Sequence, residues 1–147
     1  MDTIAPLPTA TTPAVRPLHI LYAEDLSQLR DFMGIMLGRE GHTVETAEDG
    51  AIALERLGND LSAFDLLITD HHMPRLTGLE LVRRVRKTAF AGRIIVFSSE
   101  LSEEVNLLYR QLGVDLILPK PIFPVTFRAM LRDLYSGETA QSGESLL

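Results

Sequence analysis

The sequence contains no cysteine. Disulfides, thiolate zinc sites and thiol nucleophiles are therefore excluded, a composition that suits a reducing cytosol, so a cytoplasmic location is expected. Long hydrophobic runs are missing too: no uninterrupted apolar stretch approaches the roughly 20 residues that cross a bilayer, so membrane insertion is not expected. Basic residues are in the minority, 14 Lys and Arg against 20 Asp and Glu, for a net charge of -6. Nucleic-acid binding, which rests on clustered cations that displace counterions, is disfavoured. The one basic run, Arg83, Arg84, Arg86 and Lys87, reads as the solvated C-terminal end of a helix, where cations suit the macrodipole. The first residues lack a basic segment leading into a continuous apolar one, so they do not read as a signal peptide.

What is present is ordinary globular material, 46% apolar and 23% charged over 147 residues. A chain of this length supports about one core, burying roughly two-thirds of its unfolded surface. The opening "MDTIAPLPTATTPAVRP" is rich in Pro, Thr and Ala and shows neither period 2 nor period 3.6. It reads as a poorly ordered arm, residues 1–17. The closing "SGETAQSGESLL" reads as a polar tail, residues 136–147, which leaves residues 18–135 as the folded body.

Inside that body two kinds of segment alternate. "LHILYA" is a short apolar run, followed by Leu29, Phe32, Met33, Met36 and Leu37 at helical spacing before Gly41. "HTVETA" is a weaker strand, and "GAIALERL" a helix closed by Gly58. "FDLLIT", "GRIIVFS" and "VDLIL" are further strands. They are separated by the helix "GLELVRRVRK" and by one carrying Leu101, Val105, Leu108 and Leu112 up to Gly113. Phe127, Met130, Leu131 and Leu134 line a last helix. Met33 and Met36 are assigned to the core. Five β-α units with continuous apolar strands predict an α/β fold: a doubly wound five-stranded parallel sheet with right-handed crossovers. Sites in such sheets lie beyond the carboxyl ends of the strands, at a topological switch point.

The residues at those ends carry chemistry. Glu24 and Asp25 follow the first strand, Asp70 ends the third, Ser98 and Ser99 the fourth, and Lys120-Pro121 follow the fifth. Crowded carboxylates repel unless a cation offsets them, and an oxygen-rich cluster of this kind suits Mg²⁺. Asp70 could serve as a plain ligand or as a nucleophile that accepts a phosphoryl group while cations and a hydroxyl neutralise its oxygens. Glu24 and Asp25 also read as a cap on the helix that follows. The triplet Asp70-His71-His72 leaves a metal-dependent hydrolase open, because two histidines beside an aspartate can be metal ligands.

Taken together, "AED", "DHHMPRLTG", "FSSE" and "PKP", in that order and on successive strand ends, resemble the receiver domain of a two-component response regulator. The resemblance covers about Leu18 to Tyr135 and implies a flavodoxin-like fold of the stand-alone, single-domain type. It implies that Asp70 accepts phosphate from a phosphohistidine on a sensor histidine kinase or a histidine phosphotransfer protein, with no catalysis beyond its own phosphorylation and dephosphorylation. Mg²⁺ would be bound by Asp25 and Asp70 directly, by Glu24 through water, and by the His72 backbone carbonyl. Ser98 and Lys120 would contact the phosphoryl oxygens, and the Lys120-Pro121 bond would be cis. Output would pass to a downstream target protein from a monomer or a phosphorylation-dependent dimer. Two alternatives stand beside this reading. One is a receiver-fold scaffold that works without phosphate. The other is an Asp-His-His phosphoesterase, for which the remaining histidines, His19 and His42, are too few.

On the receiver reading His71 and His72 are loop residues at the rim, His71 exposed to solvent and His72 flanking the path of attacking water. Two departures bear on output. Ile117 stands three residues before the lysine, where the family often has Tyr or Phe, and Ser99 follows Ser98 where a smaller residue is common. Ile117, stiff at χ1 and without a polar tip, is expected to be passive packing.

Overall fold

Strands β1 (His19–Ala23), β2 (Thr43–Ala47), β3 (Leu66–Asp70), β4 (Arg93–Ser98) and β5 (Leu116–Pro119) alternate with helices. The helices are α1 (Ser27–Arg39), α2 (Gly50–Asn59), α3 (Gly78–Val85), α4 (Glu103–Gln111) and α5 (Pro124–Glu144). The computed structural model describes residues 15–144, with side chains to residue 136. The arm expected over residues 1–17 therefore lies outside the described residues apart from its last three.

The chain divides into two compact units. The larger, Pro17–Ile122, contains all five strands in one parallel sheet of order β2-β1-β3-β4-β5. The predicted doubly wound topology is what forms. β3 is buried along its whole length and β4 along all but its first residue, as continuous runs of Leu, Ile and Val require of strands covered on both faces. β2, at the sheet edge, is only partly buried, from exposed Thr43 to buried Ala47. Alternation along each strand sends Leu21, Leu67, Ile94 and Val96 into one core with Ala53 and Leu57 of α2 and Leu81, Val82 and Val85 of α3. Each fully buried aliphatic side chain there contributes about 1.5–3 kcal/mol.

Side chains and glycines set the helix ends. Asp49, Thr77 and Ser102 cap α2, α3 and α4 by accepting from the backbone N–H groups of Ile52, Glu80 and Val105. Gly41 and Gly113, at φ of +96° and +75°, stand just beyond α1 and α4, where a left-handed residue ends a helix. Gly58 does not close its helix as expected: α2 runs on to Asn59, held by the burial of Ala53 and Leu57 on its inner face. Asp25 does not cap α1 either. That helix begins after Leu26 with no side-chain cap, and it is Glu24 Oε2 that accepts from the Leu26 N–H at 3.2 Å.

In the smaller unit α5 carries Phe127, Leu131 and Tyr135, all buried at a spacing of one helical turn, and the Arg16 guanidinium lies 5.9 Å from the Tyr135 ring centre. The helix continues to Glu144, through most of the segment expected to be a polar tail. The stretch after Tyr135 has no proline, and its glycines each cost about 1 kcal/mol of helix propensity, which does not stop a helix already formed. Among the described residues no helix is long and apolar enough to cross a membrane.

Candidate functional site

Strand order reverses on either side of β1 and β3, so their carboxyl ends flank the switch point. Ala23 pairs with Thr69, Asp70 with Phe97, and Ser98 with Pro119. This register brings Glu24, Asp70, Ser98 and Lys120 to one sheet edge although they are far apart in sequence.

Glu24 is fully buried, and donors surround it. The Tyr22 hydroxyl donates to Oε1 at 3.1 Å, Lys120 Nζ donates to Oε1 at 3.0 Å, and the Leu26 N–H takes Oε2. Tyr22 and Glu24 are two residues apart and so share a strand face. Burial, and then the Asp70 charge, push the Glu24 carboxyl above the usual carboxylate range, while Lys120 and the Leu26 N–H restrain the rise. Burial, and then Glu24, raise the Tyr22 phenol as well, which keeps it a donor.

Lys120 Nζ also lies 3.2 Å from Asp70 Oδ1. Burial opposes its charge, but the hydrogen bond to Glu24 and the Asp70 charge outweigh that and hold it above the ordinary lysine range. Its backbone N–H bonds to the Ser98 carbonyl at 3.0 Å, and the Lys120-Pro121 peptide is cis, as expected. Asp25 is exposed at the mouth of the site. One carboxylate oxygen each from Glu24, Asp25 and Asp70 can be chosen so that all lie within 4.8 Å of one another. Mg²⁺ takes six oxygens at about 2.0–2.1 Å, which places opposite ligands about 4 Å apart, so this hard-oxygen set suits that ion in chemistry and comes near it in size. Neither histidine of the Asp70-His71-His72 triplet belongs to it.

Ser98 is buried, and its hydroxyl is engaged with its own loop. It donates to the Glu100 carbonyl and accepts from the Glu100 N–H, both at 3.2 Å. Ser99 is exposed. Ile117 is half-buried and packs against the core beside an open cleft of about 200 Å³, lined also by Ser98, Ser99 and Asn106.

The two histidines differ. His72 is exposed. His71, expected in solvent, is instead half-buried, with Nδ1 2.6 Å from the hydroxyl of Tyr109. Tyr109 belongs to α4 and is fully buried. Burial, and then the neighbouring His72, hold the His71 imidazole below the usual histidine range, so the neutral ring meets a neutral phenol. The packing beneath is tight: a Cβ on Gly78 would fall 2.4 Å from the Asp70 carbonyl oxygen and 2.8 Å from the Tyr109 hydroxyl, so only glycine fits.

The far end of the same loop is held by Arg75, whose guanidinium donates to the buried carboxylate of Asp49. Burial tends to raise the Asp49 carboxyl. The Ile52 N–H and Arg75 more than offset it and bring it below the usual range. Tyr22, Tyr109 and the Asp49-Arg75 pair were not singled out by the sequence motifs. Tyr22 has a readable signal in its i, i+2 relation to Glu24; Tyr109 reads only as one more member of an amphipathic helix.

This fold and charge set define a class. The chain belongs to the response regulator receiver domain family, whose model matches residues 20–132, and it is thus a receiver domain of two-component signalling, a family that is regulatory in character. It is 35% identical over 115 residues to a gliding motility regulatory protein of Myxococcus xanthus, covering 77% of this chain and 14% of that one. It is also 35% identical to the response regulator MprA of Mycobacterium ulcerans, covering 80% of this chain and 50% of the relative. The chain thus spans about half, or less, of the length of these relatives. Among solved structures it is similar to the chemotaxis protein CheY4 of Vibrio cholerae, with a TM-score of 0.73 and 30% identity over 80% of this chain and 98% of that one.

Proposed function

We propose that this receiver, residues 18–135, is a phosphoacceptor in a His-to-Asp relay, with Asp70 as the accepting residue. The observation that carries the reading is the placement of Lys120 Nζ between Glu24 Oε1 and Asp70 Oδ1, at 3.0 and 3.2 Å, beside the exposed Asp25. A carboxylate nucleophile is weak, and the repulsion between it and an incoming phosphoryl group is its main obstacle. A fixed ammonium at hydrogen-bond distance removes much of that repulsion.

In the transfer an Asp70 carboxylate oxygen forms a bond to phosphorus, the N–P bond of the donor phosphohistidine breaks, and the imidazole nitrogen departs with the electron pair and takes a proton. The product is an acyl phosphate on Asp70. Lys120 follows the charge onto the phosphoryl oxygens, and Ser98 exchanges its Glu100 partners for one of those oxygens. Asp25 and Asp70 directly, Glu24 through water and the His72 carbonyl would hold Mg²⁺, which would supply further positive charge to offset the phosphoryl oxygens.

The donor is a sensor histidine kinase or a histidine phosphotransfer protein. Leu26, Phe32 and Ile35 are exposed on and just before α1, and Leu26 directly follows Asp25, so an apolar surface for such a partner adjoins the site. Output runs through a downstream target protein, from a monomer or a phosphorylation-dependent dimer in the cytoplasm. Incubation with acetyl phosphate and Mg²⁺, followed by intact-mass measurement, tests the reading. The wild type gains one phosphoryl mass and Asp70→Asn gains none; equal labelling of both contradicts it.

A further inference from the structure

We propose that Tyr109 is the residue through which the phosphorylation state of Asp70 reaches α4, by its hydrogen bond to His71. This rests on Asp70 being the phosphoacceptor and adds a route for the signal at that site.

Three observations on different elements converge. First, His71 directly follows Asp70, and its backbone is pinned on both sides: its N–H donates to the Phe97 carbonyl at 3.1 Å, and its carbonyl accepts from Gly78 at 2.8 Å. A change at Asp70 therefore acts on His71 through a short, braced segment. Second, Tyr109 is the one fully buried side chain of α4, packed in the core beside the partly buried Val105, and its hydroxyl bonds His71 at 2.6 Å. Gly78 leaves room for that hydroxyl and for nothing larger. Third, α4 borders an open cleft one turn before Tyr109, on nearly the same helix face. That cleft, open to solvent and about 200 Å³ in volume, is lined by Asn106, whose Oδ1 is buried and, among the described residues, has no hydrogen-bond partner. A buried acceptor without a donor is a cost that a shifted helix position can remove. One polar anchor and, a turn away, a buried acceptor without a donor beside an open cleft are the makings of an element with two positions.

Ile117 cannot carry the signal by exchanging a polar tip between inside and outside, because it has none. The Tyr109 hydroxyl supplies a polar contact from a different helix and reaches the acceptor loop itself, where an aromatic residue at position 117 would have lain along β5.

The test compares amide hydrogen exchange across α4 before and after acetyl phosphate and Mg²⁺, with intact mass recording phosphorylation in each sample. Wild type changes its α4 exchange on phosphorylation. Tyr109→Phe, which keeps the ring and loses only the hydroxyl, still gains one phosphoryl mass. Its phosphorylation-dependent change in α4 falls roughly fivefold, as loss of one net hydrogen bond implies. His71→Leu gives the same loss, the double variant loses no more, and His71→Asn, which keeps an acceptor, retains the response. A wild-type-sized response in Tyr109→Phe overturns the proposal, as do additive losses in the double variant. So does an equal rise in α4 exchange in both states, which marks a purely structural role. If Tyr109→Phe fails to label while wild type labels, Tyr109 belongs to the transfer and the proposal is overturned. If wild type fails to label, both readings fall.

Discussion

Lys120 and Glu24, 96 positions apart in the chain, are joined by a 3.0 Å hydrogen bond in which the ammonium meets a fully buried carboxylate. The lysine serves Asp70 at the same time. Lys120→Met leaves two carboxylates facing each other without their shared donor. Thermal unfolding of the variant at neutral pH should show a loss on the order of 1–3 kcal/mol. Millimolar Mg²⁺ should recover more stability in the variant than it adds to wild type. An unchanged melting temperature would mean that the lysine is not needed to hold the cluster together.

On the proposed reading, Mg²⁺ bound at the cluster stabilises the fold by mass action. Only the folded state assembles Glu24, Asp25 and Asp70 within 4.8 Å of one another. Binding therefore adds about 2.7 kcal/mol at a hundred times the dissociation constant. Asp25→Ala removes the exposed member without disturbing buried packing. Melting temperature should climb with Mg²⁺ in wild type and climb much less in Asp25→Ala; equal shifts would place the ion elsewhere.

The strand ends were legible because apolar runs and the residues that terminate them are local signals. Glu24, Asp25, Asp70, Ser98 and Lys120 can all be read as the first polar residues after, or the last residues of, predicted strands, and the sheet places them on one edge. The partners of these residues were not legible. Tyr109 meets His71 across 38 positions, and no periodicity says that one phenol of an amphipathic helix points at a loop. The helical continuation of α5 past Tyr135 is not legible because polar composition reads as a tail, whereas a helix persists through polar residues in the absence of proline.

His42 gives the fold a pH dependence away from the site. Its Nδ1 accepts from the Leu18 N–H at 3.0 Å, which requires an unprotonated nitrogen, and burial holds the imidazole below its ordinary value of 6.5, against a smaller opposing effect of Glu40. Between the folded value and 6.5 the unfolded chain binds more protons at this group, so its contribution is complete above 6.5 and is lost as pH falls. The slope from one proton is at most about 1.4 kcal/mol per pH unit. His42→Asn, which offers an oxygen to the same N–H, should flatten the curve below 6.5 relative to wild type. Taking the difference between the two removes the contribution of Glu24, whose raised carboxyl has the opposite slope. Parallel curves for the two proteins would assign the acid sensitivity to other groups.

Arg75 combines a stabilising ion pair with an unfavourable backbone, φ +70°. The two effects separate by substitution. Arg75→Ala loses the bond to Asp49 and keeps the left-handed strain; Arg75→Gly loses the bond and relieves the strain. Chemical denaturation should find Arg75→Gly more stable than Arg75→Ala by about 1 kcal/mol. Equal stabilities would show that the loop relaxes out of the left-handed region once the guanidinium is gone.

Three adjacent residues, Asp70, His71 and His72, can each form a bond to phosphorus, and only the first lies against Lys120. Acetyl phosphate labelling in Mg²⁺, followed by peptide mapping with hydroxylamine treatment, separates them, because hydroxylamine cleaves an acyl phosphate and converts the acceptor aspartate to its hydroxamate. The expected result is a single hydroxamate at Asp70 in wild type and no label in Asp70→Asn. An acid-labile, alkali-stable phosphoryl group on His71 or His72, persisting in Asp70→Asn with no hydroxamate formed, would contradict it.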